Sequence, residues 1–124
     1  MKEISAAQVA AAVRQLCIDA CCLLDDNITG ALKDARAREE SPLSRQVLGV
    51  ILENAALARE TLSPCCQDTG MAVVHVRLGQ EVHITGGGLR AAIDEGVRQG
   101  YRDGYLRKSV VNDPFLRQNT GDNT

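Results

Sequence analysis

"SPCCQDTGMAVV", residues 63–74, divides the chain into two kinds of sequence. Before it, apolar residues recur with helical spacing; after it, β-branched runs and glycines take over. Pro64 marks the boundary, because proline disfavours a helical conformation in the residue before it. The stretch also sets two adjacent cysteines, an amide, a carboxylate and a glycine turn ahead of an apolar run. Packing accounts for its valines but not for Cys66, Gln67 and Asp68.

Upstream, the pattern is helical. Ser5 and Gln8 have the spacing of a capping box, and Val9, Val13, Leu16, Cys17, Ala20 and Leu24 then form one apolar stripe, which predicts a helix ending near Leu24. Ile28, Leu32 and Ala35 mark one face of a second helix whose KDARAREE run reads as solvated surface. Ser41 before Pro42 is a helix start, since proline at the first helical position gives up an amide that has no partner there. Leu43, Val47, Val50, Ile51 and Leu57 mark the expected buried side of this third helix, which should stop near Leu62.

Downstream, AVVHV and EVHIT read as two antiparallel strands joined by a tight turn at Gly79-Gln80. In such a ribbon His75 and His83, the two imidazoles of the chain, project from opposite faces and serve as surface residues rather than a metal pair. Gly86 to Gly88 then open a last helix with Leu89, Ile93 and Val97 on its apolar side. Gly96, Gly100 and Gly104 recur in that helix at four-residue spacing. Each helical glycine costs about 1 kcal/mol relative to alanine, so three in register predict that another backbone packs close. TGGG could present amides to an anion, but no P-loop or dinucleotide fingerprint follows it, and a strand-to-helix turn is the simpler reading. The tail VVNDPFLRQNTGDNT is polar and turn-forming. The fold class is therefore α+β: a helical N-terminal part, a small antiparallel β-hairpin and a packed helix.

The 124 residues suffice for one modest core. Apolar residues make up 44% of the chain, but Tyr101, Tyr105 and Phe115 are its aromatics, so aliphatic side chains must do the packing. A formal net charge of −2 with both signs interspersed leaves no electrostatic footprint for nucleic acid or an anionic membrane. The N-terminus lacks the apolar run of a signal peptide, and no stretch reads as a transmembrane span. Five cysteines in two clusters fit reduced thiols or metal ligands better than secreted disulfides. The expected address is the cytoplasm.

Among those cysteines, Cys17 and Cys21 share a helical face, with Cys22 beside them. Free cysteine behaves as a small hydrophobe, and with no CxxC in the chain the core reading is preferred over a metal site. The loop Cys66-Gln67-Asp68-Thr69-Gly70 differs in kind. Its thiolate could reach a metal, its amide could bind a carboxylate and Asp68 could exchange a proton. An Asx turn closing on Gly70 fits the same residues, and spacing leaves both readings open.

Taken in order, PCCQDTGMAVV, ITGGGLRAAIDEGVRQGY, GYLRKSVVNDP and RQNTGDNT resemble the N-terminal half of the alpha subunit of class I fumarate hydratases, a pattern shared with L(+)-tartrate dehydratases. The resemblance spans residues 40–124. It implies an iron-sulfur hydro-lyase that adds or removes water across a small dicarboxylate, using a 4Fe-4S cluster held by three cysteines. By that match Cys66 is the first cluster ligand and Cys65 a non-ligand neighbour. Gln67 and Asp68 contact substrate, with Asp68 the catalytic proton donor or acceptor, and Arg107 holds a substrate carboxylate. A guanidinium suits that task because it grips a carboxylate through two parallel hydrogen bonds. Lys108 and NTGDNT receive no role.

The family's other two cluster cysteines lie beyond the point where this sequence stops, so the resemblance implies an N-terminal portion of the catalytic domain that is inactive alone. It also implies a beta subunit or C-terminal catalytic domain as partner, and an oligomer when complete. Fumarate/malate and tartrate are not separable from this half. Two other classes remain as alternatives, a non-catalytic interaction module and a thiol enzyme using Cys65-Cys66. The second is disfavoured because adjacent cysteines rarely span the separation an unstrained disulfide prefers.

Overall fold

Ser5 starts the first helix in the reciprocal manner its sequence predicts. Its Oγ accepts the Gln8 N–H at 3.2 Å, while Gln8 Oε1 accepts the Ser5 N–H at 2.9 Å. The computed structural model describes residues 1–66 and 70–124. Among the described residues six elements follow in order: β1 (Lys2–Ser5), α1 (Ala6–Cys22), α2 (Asp26–Arg38), α3 (Pro42–Thr61), β2 (Val82–Thr85) and α4 (Leu89–Asp103). They divide between two units, Met1–Ile18 with Gln67–Thr124 and the contiguous Asp19–Cys66. The mixed α+β class holds.

In the first unit, β1 and β2 form a two-stranded parallel sheet with Lys2 opposite Val82 and Ser5 opposite Thr85. This corrects the expected antiparallel hairpin. The turn itself exists, with the Val82 N–H bonded to the Gly79 carbonyl at 3.1 Å, but residues 71–78 form no strand and β2 takes its partner from the N-terminus. Met71 and Val73 remain largely exposed. Alternating β-branched residues specify an extended backbone; they do not specify which strand it meets. The opposite-face argument for the histidines falls with the hairpin, although His75 and His83 are both exposed, as surface residues should be.

The glycines of α4 meet the first part of α1. A Cβ on Gly96 would stand 2.6 Å from the Ala10 carbonyl oxygen and from Val13 Cβ, one on Gly100 would stand 2.8 Å from Cys17 Cβ, and one on Gly104 would stand 2.9 Å from an Ile18 side-chain carbon. The close backbone approach expected from their spacing is therefore present. Ala10, Val13, Cys17, Ala92, Val97 and Tyr101 are buried in this unit. An 18-residue window within Ala6–Arg38 is apolar enough by composition to cross a membrane, contrary to the sequence expectation. Residues 23–25 interrupt the helix, and α1 covers 17 residues.

Asp103, at the end of α4, accepts from Arg102 Nε at 2.8 Å and from Arg14 Nε at 2.7 Å. These two guanidinium hydrogen bonds hold its carboxyl at about 2, against an ordinary value of 3.8. A carboxyl whose folded value is depressed stabilises the fold above its unfolded value and loses that contribution as pH falls through the folded one. The contribution should therefore be present above about pH 4 and gone near pH 2. Asp103→Asn should lower the urea midpoint near neutrality and match the parent near pH 2; an equal offset at both pH values would contradict the assignment.

The second unit is an αα-hairpin. Asp25 caps α2 by accepting the Asn27 N–H at 2.8 Å, and Ser41 caps α3 by accepting the Ser44 N–H at 3.4 Å, with Pro42 at the first helical position. Leu62 ends α3 in a left-handed conformation, φ 52°, two residues before Pro64. The buried residues of α3 are Gly49, Ala55 and Ala58, while Leu43, Val47, Val50, Ile51 and Leu57 are exposed, which reverses the expected face. The reason is close packing against small residues: the Arg36 guanidinium of α2 lies across Gly49, 3.2 Å from where a Cβ would stand.

Candidate functional site

Beyond Leu62 the chain turns back along its own unit. The Ser63 N–H reaches the Ala58 carbonyl at 3.1 Å, the Cys65 N–H reaches the Cys21 carbonyl at 2.8 Å and the Cys66 N–H reaches Asn54 Oδ1 at 3.1 Å. These three bonds set Cys66 at the lining of a cavity of about 560 Å³. Leu24, Ile28, Leu32 and Val50 supply its apolar wall, and Asn54 adds an amide. Val50 and Ile51, exposed on α3, thus line a cavity next to a thiol.

The five cysteines are chemically unequal. Cys17 and Cys22 are buried, Cys21 and Cys65 are half-buried and Cys66 is exposed. Burial pushes the Cys21 thiol up, and the nearby Cys22 and Cys65 add to the shift. Burial likewise raises Cys22, with Cys65 and Asp19 contributing. Cys22 Sγ donates to the Leu62 carbonyl at 3.6 Å. Cys17 and Cys22 are buried as small hydrophobes in packing, whereas Cys21 is half-buried. Among the described residues no three histidine, cysteine, aspartate or glutamate side chains converge to hold a metal ion. Cys66 is the exposed cysteine, and the half-buried Cys65 lines the same cavity.

In the other unit, three sequence motifs converge on Gly70. Its N–H donates to Ser109 Oγ at 3.2 Å, and its carbonyl accepts from Asn123 Nδ2. A Cβ on Gly70 would overlap the Arg107 carbonyl. Asn123 is 4% exposed, and its Oδ1 accepts the Ser109 N–H at 2.8 Å and the Val110 N–H at 3.1 Å. One asparagine side chain thus joins the residue that closes CQDTG to the segment YLRKSV. The tail that carries it is also folded, with Val111 bridging Asn119 and Asp113 Oδ1 accepting the Phe115 and Leu116 N–H groups.

Arg107 is exposed and follows the buried Leu106, and its backbone carbonyl lies against Gly70. Gln67 and Asp68 lie outside the described residues. The structure therefore brings Arg107 to the end of the CQDTG loop within one unit and places Cys66 at a cavity of the other. TGGG is a strand-to-helix turn, with φ of 75° at Gly86 and 153° at Gly87, values that favour glycine. Asn54, Ser109 and Asn123 are missed by sequence reasoning. The sequence signal that could have found Asn123 is its place in a motif of the resemblance that had been given no role.

Comparison with known proteins follows the same motifs. The family profile described as fumarate hydratase (Fumerase) matches residues 10–124. An L(+)-tartrate dehydratase subunit alpha by name, from Methanocaldococcus jannaschii, is 33% identical over 86% of this chain and 38% of its own length. Fumarate hydratase 2 of Leishmania major is 36% identical over 79% of this chain and 17% of its own. The aerobic class I fumarate hydratase of Escherichia coli K12 is 36% identical over 77% of this chain and 17% of its own. The chain thus spans well under half the length of these curated relatives.

Proposed function

Because the chain belongs to the fumarate hydratase (Fumerase) family, we propose that it is the N-terminal portion of the catalytic domain of an iron-sulfur hydro-lyase interconverting fumarate and malate. Dehydration of L(+)-tartrate is the second reading, favoured by the alpha-subunit relative that it matches at 33% identity. The observation that carries the proposal is the environment of Cys66, an exposed thiol at an apolar cavity, while Cys17 and Cys22 are buried in packing.

That donor set fits one corner of a 4Fe-4S cluster. A soft thiolate suits iron-sulfur ligation, and Cys66 is the exposed cysteine among the five. The family's two remaining cluster cysteines lie in the alpha sequence downstream of the residues present here, and a beta subunit or C-terminal catalytic domain is the partner with which that portion works. When bound, the cluster supplies Lewis acidity toward the substrate hydroxyl. Asp68 moves the proton at the neighbouring carbon, Gln67 hydrogen-bonds the substrate and Arg107 grips a carboxylate. Gly70, held by Ser109 and Asn123, fixes the end of the segment that carries Gln67 and Asp68. Five reduced cysteines suit a cytoplasmic address for this chemistry.

The test is made in the complete protein carrying this chain, reconstituted without oxygen using ferrous iron and sulfide. Cys66→Ser should abolish the visible absorbance of the cluster and bring turnover to background, whereas Cys65→Ser should keep both. Assays on fumarate and on L(+)-tartrate separate the two substrates. Full absorbance and turnover in Cys66→Ser would refute the assignment.

A further inference from the structure

Asn54 lies in α3, lines the same cavity as Cys66 and accepts the Cys66 backbone N–H through Oδ1 at 3.1 Å. The bond settles which end of the amide is oxygen, since a backbone N–H requires an acceptor. The two Nδ2 hydrogens therefore occupy the other edge of the group, and among the described residues they meet no protein acceptor. Asparagine is also a weak helix former, so its presence inside α3 calls for a local reason.

We propose that Asn54 is the positioning residue for Cys66: it fixes the backbone of that ligand and offers amide N–H donors to sulfur held at the cavity. The inference rests on the reading of Cys66 as a cluster ligand and deepens it. Leu24, Ile28, Leu32 and Val50 line the same cavity. Outer hydrogen-bond partners of metal ligands hold the first shell in place. Donors to cluster sulfur also help set the reduction potential, because they offset negative charge there. One amide can do both, its oxygen serving the chain and its nitrogen the sulfur.

Two variants of the complete, anaerobically reconstituted protein separate these tasks. Asn54→Asp keeps an oxygen for the Cys66 N–H but removes the donors and adds negative charge; Asn54→Ala removes both. Iron release to a chelator and the cluster reduction potential are the readouts. Asn54→Ala should release iron about 10- to 100-fold faster. Asn54→Asp should bind its full iron content with a potential shifted to more negative values. Parent-like release and potential in both variants would overturn the inference while Cys66→Ser still loses iron, leaving the function intact. A parent protein that binds no iron would overturn the reading of Cys66 and this inference together.

Discussion

Gly96→Val should unfold the first unit or leave it marginal, with a loss of about 3 kcal/mol or more, at the upper end of what overpacking a core costs. The added Cβ alone meets the Ala10 carbonyl oxygen and Val13 Cβ, each at 2.6 Å. One of these is backbone, which cannot swing aside as the end of a long side chain can. Total stabilities of about 5–15 kcal/mol leave little margin for such a loss. Gly30→Ala provides the contrast, because Gly30 is also helical but has nothing within 4 Å of its would-be Cβ. It should stabilise α2 by up to about 1 kcal/mol. Urea denaturation followed by circular dichroism checks both signs. A Gly96→Val protein as stable as its parent would mean that α1 and α4 do not approach as described.

Gly70→Ala should leave the cluster absorbance of the complete enzyme in place and lower kcat/KM by about 10²-fold, the scale expected when catalytic groups move by an ångström. The new methyl overlaps the Arg107 carbonyl, so either the end of the Gln67–Thr69 segment or the start of the Arg107 segment must shift. Asn123→Ala should act on the same junction by leaving the Ser109 and Val110 N–H groups without their acceptor. A buried unpaired group costs about 1–3 kcal/mol. Asn123→Asp, which keeps the acceptor but loses the donation to the Gly70 carbonyl, should recover stability more than turnover. Steady-state kinetics with iron content measured in parallel decide the matter. Normal turnover in Gly70→Ala would show that this junction does not position the reacting residues.

What could be read in advance was local. Ser5 with Gln8, Ser41 with Pro42 and the stop before Pro64 each involve residues within a few positions of one another, and each is found where its chemistry places it. The α4 glycines were legible for another reason: three costly residues in helical register imply a compensating contact. The partner of β2 was not legible, because strand pairing joins residues far apart in the chain and the pattern of one strand does not name the other. The buried face of α3 was misread because Gly49, Ala55 and Ala58 carry little hydrophobic weight yet permit the closest packing. At the site, Cys66 and Arg107 stood out through ordered motifs. Asn54 and Asn123 act through single side-chain bonds to distant backbone, which leave no periodicity to detect.

The pairing of Lys2 with Val82 also governs the order in which a growing polypeptide can mature. The first strand has nothing to pair with until some eighty further residues are synthesised, a delay on the order of several seconds at ordinary elongation rates. The αα-hairpin is contiguous and can close in the meantime. Nascent chains arrested before Val82 should therefore protect α2 and α3 from proteolysis while their N-terminal segment is still cut.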